Sequence, residues 1–307
     1  MPTLHLGTRG SALALAQAVL TETALSEVGH TVQRHVISTI GDKRQDLKLS
    51  EFASATAGTA QVIDKGIFTK ELELALADRT IDFAVHSLKD VPTELAEGYS
   101  IAAVLPRAPI EDVLISKHPC GLDGLPEKAT VATSSVRRAA QLQMLRPDLQ
   151  VVDIRGNVPT RIQKLADNES WDGIILAHAG LARLGMHDLL SAETTTILDP
   201  QEFLPAAGQG AVGIEVYKPT EHTLQALAAI DHEETHLRIR AERHFLHLLE
   251  AGCQTPVGAH TRIEGGTLHL RTLVFPEDGS APKRAEASAP AETPEAAAET
   301  AFTLLGI

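Results

Sequence analysis

Short apolar runs alternate with longer amphipathic segments along most of the chain. Runs rich in Leu, Ile, Val and Ala predict strands at 4–8, 32–39, 81–85, 130–133, 151–154, 173–177 and 211–216. Between them, apolar residues at helical spacing predict helices at 11–28, 68–77 and 135–145. This alternation predicts α/β architecture with mainly parallel sheets.

The pattern changes from about Asp231 onward. A long helix that ends near Leu249 is predicted first. Strands near 257–263, 268–274 and 283–289 follow, and a last helix closes the chain. We therefore expect a separate, smaller α+β domain in this part of the chain.

Residues 41–66 carry little periodic signal and are rich in Lys, Asp, Ser, Ala, Thr and Gly. A stretch of this length inside a compact enzyme is typically a lid or a disordered insert. Ordering it would cost backbone entropy, and its composition offers little apolar burial in return. We interpret residues 47–64 as a mobile lid that closes when a substrate is bound.

Length, composition and charge limit the classes of protein to which this chain can belong. The chain has 307 residues, 43% of them hydrophobic, which is enough for two or three domains with their own cores. A net charge of −13 argues against a general nucleic-acid or membrane-surface binder. No apolar run reaches the roughly 18 residues that span a bilayer, and the first residues lack the features of a signal peptide. With only two cysteines, a disulfide framework is disfavoured, and we expect a cytoplasmic protein.

Arginines concentrate at two strand-to-helix junctions, against the acidic background. Residues 133–138 read Thr-Ser-Ser-Val-Arg-Arg, and residues 155–161 read Arg-Gly-Asn-Val-Pro-Thr-Arg. A helix N-terminus favours an anion, and arginine binds carboxylate or phosphate in a bidentate manner. Each junction could equally be an ordinary capped helix with solvated arginines. Two such junctions on successive βα units favour anion binding, because ligands bind at strand C-termini in α/β sheets.

Two further features suggest covalent and acid–base chemistry. Cys253 follows a predicted helix and precedes Pro256, so its thiol is expected on an exposed bend. Asp90 ends the block His-Ser-Leu-Lys-Asp after a predicted buried strand. At the mouth of a cleft, this carboxylate could transfer protons and stabilise a developing cation. Asp90 and Lys89 could also form an ordinary surface pair.

Residues 232–236 match the zinc-protease pattern His-Glu-x-x-His. On a helix, His232 and His236 would share a face, but no third ligand further along the chain is compelling. We interpret the segment as the polar start of a helix and expect no metal.

Several motifs together resemble the porphobilinogen deaminase, or hydroxymethylbilane synthase, family. They occur in the family's order and cover nearly the whole chain. The residues that carry the resemblance are 8–11, 65–68, 84–92, 133–138, 204–210 and 252–254.

The resemblance implies an enzyme of tetrapyrrole (haem and porphyrin) biosynthesis. Such a transferase joins four porphobilinogen units into linear hydroxymethylbilane and releases ammonia for each. It implies a dipyrromethane cofactor joined covalently to Cys253. Asp90 is the implied catalytic residue, stabilising an azafulvene-like intermediate. A small-molecule substrate and a monomer are expected, with no nucleic-acid or membrane partner.

Because each pyrrole carries an acetate and a propionate, the family explains the arginines. The cofactor-binding residues that the resemblance implies are Ser11, Ser87, Lys89, Thr133, Ser135, Arg137, Arg138 and Arg155, together with Cys253. The implied substrate-binding residues are Arg9, Gln17, Phe68, Arg161 and Arg183.

The implied fold has three domains. Two resemble the lobes of type-II periplasmic binding proteins, with a cleft and a hinge between them, and a small α+β C-terminal domain carries the cysteine. We place domain 1 at 1–105 and 211–228, domain 2 at 106–210, and the C-terminal domain at 229–307.

The chain departs from the family pattern in the stretch before Lys65, which is longer than expected and has Gln61 where a second lysine is common. His178 and Cys120 match no family role. A non-catalytic solute-binding protein with a two-lobed fold and a zinc hydrolase built on His232 and His236 are the alternatives. The first would need neither the thiol nor Asp90, and metal content would decide the second.

Overall fold

The computed structural model describes residues 2–39, 69–119, 121–190, 193–251, 255–276 and 278–306. The chain forms two compact units, one of residues 1–108 with 211–253 and the other of residues 109–210 with 254–307. Within the described ranges, no helix is both long and apolar enough to cross a membrane.

Strands and helices alternate through most of the chain. The strands are β1 (Leu4–Thr8), β2 (Val32–Val36), β3 (Phe83–Ser87), β4 (Tyr99–Val104), β5 (Asp112–Ser116), β6 (Thr130–Ala132), β7 (Gln150–Val152), β8 (Gly173–Ala177), β9 (Thr195–Ile197), β10 (Val212–Tyr217), β11 (Val257–Glu264), β12 (Thr267–Val274) and β13 (Lys283–Pro290). The helices are α1 (Ala12–Glu27), α2 (Lys70–Ala77), α3 (Val136–Leu145), α4 (Val158–Asp167), α5 (His178–Arg183), α6 (His187–Leu190), α7 (Glu221–Ala228), α8 (Glu233–Leu248) and α9 (Pro294–Leu305).

The first unit contains a five-stranded sheet with the order β2-β1-β3-β10-β4. Strand β1 pairs in parallel with β2 and β3, whereas β10 pairs antiparallel with β3 and β4. Buried side chains of these strands, among them Leu6, Phe83 and Ile214, form one apolar cluster with Leu25 of α1 and Leu227 of α7. This core fixes the end of β3, where the candidate catalytic block begins.

The second unit contains a five-stranded sheet of similar layout, with the order β7-β6-β8-β5-β9. Strand β6 pairs in parallel with β7 and β8, and β5 pairs antiparallel with β8 and β9. Two apolar clusters in this unit contain alternate residues of β5. One cluster includes Leu114, and the other includes Val113 and Ile115. Strand β5 therefore contributes apolar side chains to both clusters, which accounts for its continuous apolar run.

The prediction that the sheets are mainly parallel is wrong. In each five-stranded sheet, two strand pairs are parallel and two are antiparallel. A parallel neighbour requires a crossover connection, usually a helix. Strand β10 is the first strand after the chain returns to the first unit, and β5 is the first strand of the second. No helical crossover precedes either strand within its own unit, so neither is constrained to run parallel to its neighbours.

The three strands predicted beyond Asp231 form a separate antiparallel sheet with the order β11-β12-β13. Helix α9 packs on this sheet. Ala285, Ala287 and Ala289 of β13 are buried, and the residues between them are exposed. This alternation is the pattern of a sheet with one covered face.

Most predicted elements are present, with small shifts in their limits. Strands β1 and β8 have the predicted limits, and helix α1 occupies the predicted helix apart from its two capping residues. The strand predicted at 81–85 is β3, which lies two residues later, at Phe83–Ser87. Strand β2 ends at Val36 instead of residue 39. Strands β4, β5 and β9 were not predicted.

Candidate active site

A cavity in the first unit collects five of the residues implied by the resemblance. Its lining includes Arg9, Ser11, Gln17, Ser87 and Asp90. These side chains come from the loop after β1, the start of α1, and the end of β3 with the turn after it. The parallel pairing of β1 and β3 places the C-terminal ends of both strands at one edge of the sheet. A common cavity at this edge is the position expected for a ligand site in an α/β sheet.

Hydrogen bonds hold the polar lining in place. The amide Nε2 of Gln17 donates to Oγ of Ser87 at 2.7 Å, although the two residues are 70 positions apart. Gln17 is only 2% exposed, so this bond satisfies a buried donor. Ser11 is the N-cap of α1, and its Oγ accepts a hydrogen bond from the backbone N–H of Ala14 at 3.2 Å.

Asp90 lies at the end of a single 3-10 turn, Leu88–Asp90, that follows β3 directly. Leu88 is buried in an apolar cluster with Val91, which anchors the turn on either side of the exposed Lys89 and Asp90. The Asp90 carboxylate makes no hydrogen bond or ion pair with any residue that the structure describes. Its oxygens are therefore available to a ligand in the cavity. Lys89 is outside the cavity lining.

A buried pair of titratable side chains lies behind this cavity. His86 of β3 lines the cavity, and its Nε2 lies 3.0 Å from Oε2 of Glu215 in β10. Both side chains are almost completely buried, yet the two atoms are not aligned as a hydrogen bond. His86 is the first residue of the block that ends at Asp90, and neither it nor Glu215 was predicted to have a role. An acidic residue inside the apolar run of β10 was the available signal.

The second unit holds a buried ionic cluster around Asp112 at the start of β5. Oδ2 of Asp112 accepts a hydrogen bond from Arg137 at 2.8 Å, and Oδ1 accepts from Nη2 of Arg138 at 2.7 Å and from Gln209 at 3.0 Å. Burial alone would raise the pKa of Asp112, but the two guanidinium groups hold it well below its usual range. Arg137 also donates to the carbonyl oxygen of Leu204 at 2.6 Å. Leu204 and Gln209 belong to one of the motifs that carry the resemblance.

The alternative of solvated arginines at residues 133–138 is wrong, because Arg137 and Arg138 are 5% and 6% exposed. The N-cap expectation is correct: Oγ of Ser135 caps α3 by accepting from the N–H of Arg138. The buried Thr133 hydroxyl accepts from the backbone N–H of Ser135 at 3.2 Å. Roles for these residues in cofactor binding stay predictions, since their observed partners are protein atoms.

The junction at residues 155–161 forms a tight turn into α4. Gly156 has a φ of +115°, and a Cβ at this position would lie 2.8 Å from the Thr160 side chain, so the turn requires glycine. Arg161 Nε donates to the Gly156 carbonyl at 2.8 Å. Arg155 lies 3.4 Å from the half-exposed Asp153 carboxylate, and its buried Nε has no hydrogen-bond partner.

Arg183, at the end of α5, is the most unusual of these arginines. Its Nη2 donates to the Gly210 carbonyl at 2.7 Å, while its buried Nε has no hydrogen-bond partner. Burial lowers the pKa of Arg183 to about 10, and no acidic side chain opposes this shift. A guanidinium in this environment is stabilised by a bound carboxylate.

Several predicted features lie outside the described residues. They are Cys253, Phe68, Cys120 and the predicted lid at 47–64. His178, which has no assigned role, lies 3.3 Å from the Glu111 carboxylate.

The two histidines of the His-Glu-x-x-His pattern do not lie together on one helical face. Helix α8 begins at Glu233, and His232 is its N-cap, with Nδ1 accepting from the Thr235 N–H. His236 instead pairs with Asp231, at 2.9 Å. In the part of the chain that the structure describes, no group of three or more His, Cys, Asp or Glu side chains is placed to hold a metal ion.

Comparison with known families gives two matches that together cover most of the chain. Residues 4–225 match the model described as "Porphobilinogen deaminase, dipyromethane cofactor binding domain". Residues 236–304 match "Porphobilinogen deaminase, C-terminal domain". The second match includes β11, β12, β13 and most of α8 and α9.

Curated relatives named porphobilinogen deaminase are similar over nearly their full length. The protein of Syntrophomonas wolfei is 44% identical, covering 99% of this chain and 96% of the relative. That of Syntrophobacter fumaroxidans is 41% identical over 98% and 94%, and that of Desulforudis audaxviator is 46% identical over 94% and 90%.

Solved structures similar to this chain include periplasmic binding proteins. The methionine-binding protein MetQ matches with a TM-score of 0.42 at 14% identity, covering 74% of this chain and 89% of that protein. A periplasmic substrate-binding protein of Coxiella burnetii matches with a TM-score of 0.43 at 15% identity, covering 74% and 91%.

Proposed function

Because this chain belongs to the porphobilinogen deaminase family, we propose that it condenses four porphobilinogen molecules stepwise into linear hydroxymethylbilane. Each condensation releases ammonia, and the reaction belongs to tetrapyrrole biosynthesis. Within the molecule, the cavity around Asp90 best supports this proposal. It brings Arg9, Ser11, Gln17 and Ser87 around a carboxylate that has no hydrogen-bond or ion-pair partner among the described residues.

The residues present fit a dipyrromethane group, which carries several carboxylates. The supporting observation is the buried Nε of Arg155, a residue implied to bind the cofactor, which has no hydrogen-bond partner. Arg183, which is implied to bind the substrate, also has a buried Nε without a partner, and because burial depresses its pKa, an anion bound beside it would be strongly favoured. When bound, the group supplies the pyrrole carbon from which the product chain is extended. We infer that Cys253 holds it covalently.

Asp90 is the residue that we assign to proton transfer. Its carboxylate faces the cavity and has no competing partner among the described side chains. It can accept a proton at Oδ as the substrate reacts, and its negative charge offsets the positive charge that develops on the pyrrole as ammonia leaves. Arg9, with Ser11 and the Gln17–Ser87 pair, would bind carboxylates and orient the substrate pyrrole beside Asp90.

The remaining assignments are part of the same proposal. Thr133, Ser135, Arg137, Arg138 and Arg155, with Lys89, would contact cofactor carboxylates, and Phe68, Arg161 and Arg183 would contact the substrate. The division into 1–105 with 211–228, 106–210 and 229–307 is likewise proposed. It is supported by the return of the chain to the first sheet at β10. We also propose a monomeric, cytoplasmic transferase.

Product and mass analysis together test this function. Purified protein incubated with porphobilinogen should release four molecules of ammonia for each hydroxymethylbilane formed. The intact mass should exceed that of the polypeptide by two pyrrole units, and Cys253→Ala should abolish both the excess mass and the activity. A native mass equal to that of the bare chain, with no ammonia released, would refute the proposal.

A further inference from the structure

One side chain of α8 contacts the segment that directly follows Asp90. Nη2 of Arg243 donates to the carbonyl oxygens of Pro92 at 2.6 Å and Thr93 at 2.9 Å, and Nη1 donates to that of Val91 at 3.3 Å. These are the three residues immediately after the aspartate. A single guanidinium therefore fixes three successive backbone carbonyls, with the charge-assisted bonds that are the stronger kind.

Two other residues of α8 contact the same segment. Ile239, one helical turn before Arg243, is buried in the apolar cluster that contains Leu88 and Val91. His247, one turn after Arg243, lies 3.0 Å from the Glu94 carboxylate in an exposed pair. Helix α8 thus contacts residues before and after Asp90. Ile239 makes an apolar contact, Arg243 donates hydrogen bonds, and His247 forms an ion pair at the surface.

The Arg243 guanidinium is held in a largely buried environment. Burial lowers its pKa, and the carboxylate of Glu215 opposes that shift. Glu215 is completely buried and lies beside His86 of the cavity lining. The charge-assisted bonds from Arg243 to the 91–93 carbonyls therefore form where solvent weakens them little.

Asp90 depends on such support because its own turn is short. The 3-10 turn is only three residues long, and it ends with a hydrogen bond from the Val91 N–H to the Leu88 carbonyl at 3.2 Å. The Asp90 side chain forms no bond of its own to the described protein. Its position is consequently set by the backbone on either side of it. Misplacement of a catalytic group by about an ångström can cost roughly 100-fold in rate.

We propose that Arg243 is a positioning residue that holds Asp90 in its reactive place by fixing the carbonyls of residues 91–93. The inference rests on the proposed function, since it assumes that Asp90 carries the chemistry. Arg243 itself is not among the residues that line the cavity. The same helix ends at Leu248, five residues before Cys253 in the sequence, so Arg243 ties the Asp90 segment to the stretch of chain that leads to the proposed cofactor cysteine.

The test compares Arg243→Gln and Arg243→Lys with Arg240→Gln, a control on an exposed position of the same helix, all in cofactor-loaded protein. Steady-state ammonia release at varied porphobilinogen concentration gives kcat and KM, and hydrogen–deuterium exchange of amides 88–94 reports on the turn. Arg243→Gln should lower kcat about 10- to 100-fold with KM within a few-fold, and should speed exchange across 88–94. Arg243→Lys should fall between wild type and Arg243→Gln, and the control should stay within about twofold of wild type in rate and exchange.

A double-mutant cycle separates positioning from general damage. If Arg243 acts through Asp90, Arg243→Gln should cost less than about twofold in an Asp90→Asn background. An equal loss in both backgrounds, or a loss no greater than that of the control, would overturn the inference. An Asp90→Asn enzyme with wild-type turnover would instead defeat the proposed role of Asp90, and this result can be told apart from the other two.

Discussion

Two aspartates, one in each compact unit, differ in almost every physical respect. Asp112, at the start of β5, is completely buried and accepts hydrogen bonds from Arg137, Arg138 and Gln209. Asp90, just after β3, is exposed to a cavity and has no bonding partner among the described residues. The comparison shows what distinguishes a structural carboxylate from a reactive one. The first has its oxygens satisfied by the fold, while the second keeps them available for a ligand.

The same distinction applies to the arginines. Arg137 and Arg138 donate hydrogen bonds to Asp112 and to backbone carbonyls. Arg183 is also largely buried, but it has no carboxylate among its described contacts, and one of its donors is unsatisfied. Buried and unpaired cations are costly, so a protein retains them where a ligand supplies the missing charge.

The largest expected effect is on stability, from Asp112→Asn. The variant leaves two buried guanidinium groups without their counter-charge, and breaking a buried pair in this way typically costs about 3–5 kcal/mol. Asp148→Asn is the matched control, because Asp148 also binds an arginine, Arg146, at 2.8 Å but at the surface. Denaturant unfolding should show a large loss for Asp112→Asn and a much smaller one for the control. Equal losses would mean that burial does not separate the two.

The second effect is on the pH dependence of stability. The folded-state pKa of Asp112 lies below its ordinary value of 3.8, so its contribution is present above that value and is lost as the pH falls below it. The free energy of unfolding of the wild-type protein should therefore decline below about pH 4. In the Asp112→Asn protein this decline should be shallower. Parallel acid profiles for the two proteins would contradict the pairing.

A smaller effect is expected for Arg183→Met, which should leave stability unchanged or raise it but should weaken substrate binding. Because burial lowers the pKa of Arg183, its charge is disfavoured in the folded protein at neutral pH, and a neutral side chain of similar length should leave the melting temperature unchanged or raise it. Losing a charged hydrogen bond to a ligand should raise KM for porphobilinogen roughly tenfold or more. A lower melting temperature with unchanged KM would show that Arg183 is structural instead.

Much of the fold could be predicted from the sequence, because local patterns report local structure. Strand β8 carries a continuous apolar run, strand β1 places Leu4 and Leu6 on either side of His5, and the limits of both were predicted correctly. Strand β5 was missed because Asp112 at its start resembles a loop residue. Its charge is neutralised only by arginines 25 and 26 positions away, which a local pattern does not show. The direction of β10 likewise depends on the path of the whole chain.

The candidate site was predictable in part. Arg9, Ser11, Gln17, Ser87 and Asp90 were implied by motif resemblance, and the structure brings them around one cavity. Their grouping follows from the pairing of β1 with β3, which joins segments more than 70 residues apart. Arg243 and Glu215 were missed, because an arginine in a polar helix and a glutamate in an apolar strand have no local partner that shows their role.

The turnover of cofactor-loaded Asp90→Asn, with intact mass confirming the loading and thermal unfolding confirming the fold, tests the central claim most directly. The substitution keeps the shape of the side chain and removes its charge and its proton-accepting oxygen. Because Asp90 contributes no bonds to the described fold, the melting temperature should stay that of the wild type, while turnover falls by roughly two or more orders of magnitude. Turnover within a few-fold of wild type in a fully loaded, folded protein would contradict the account.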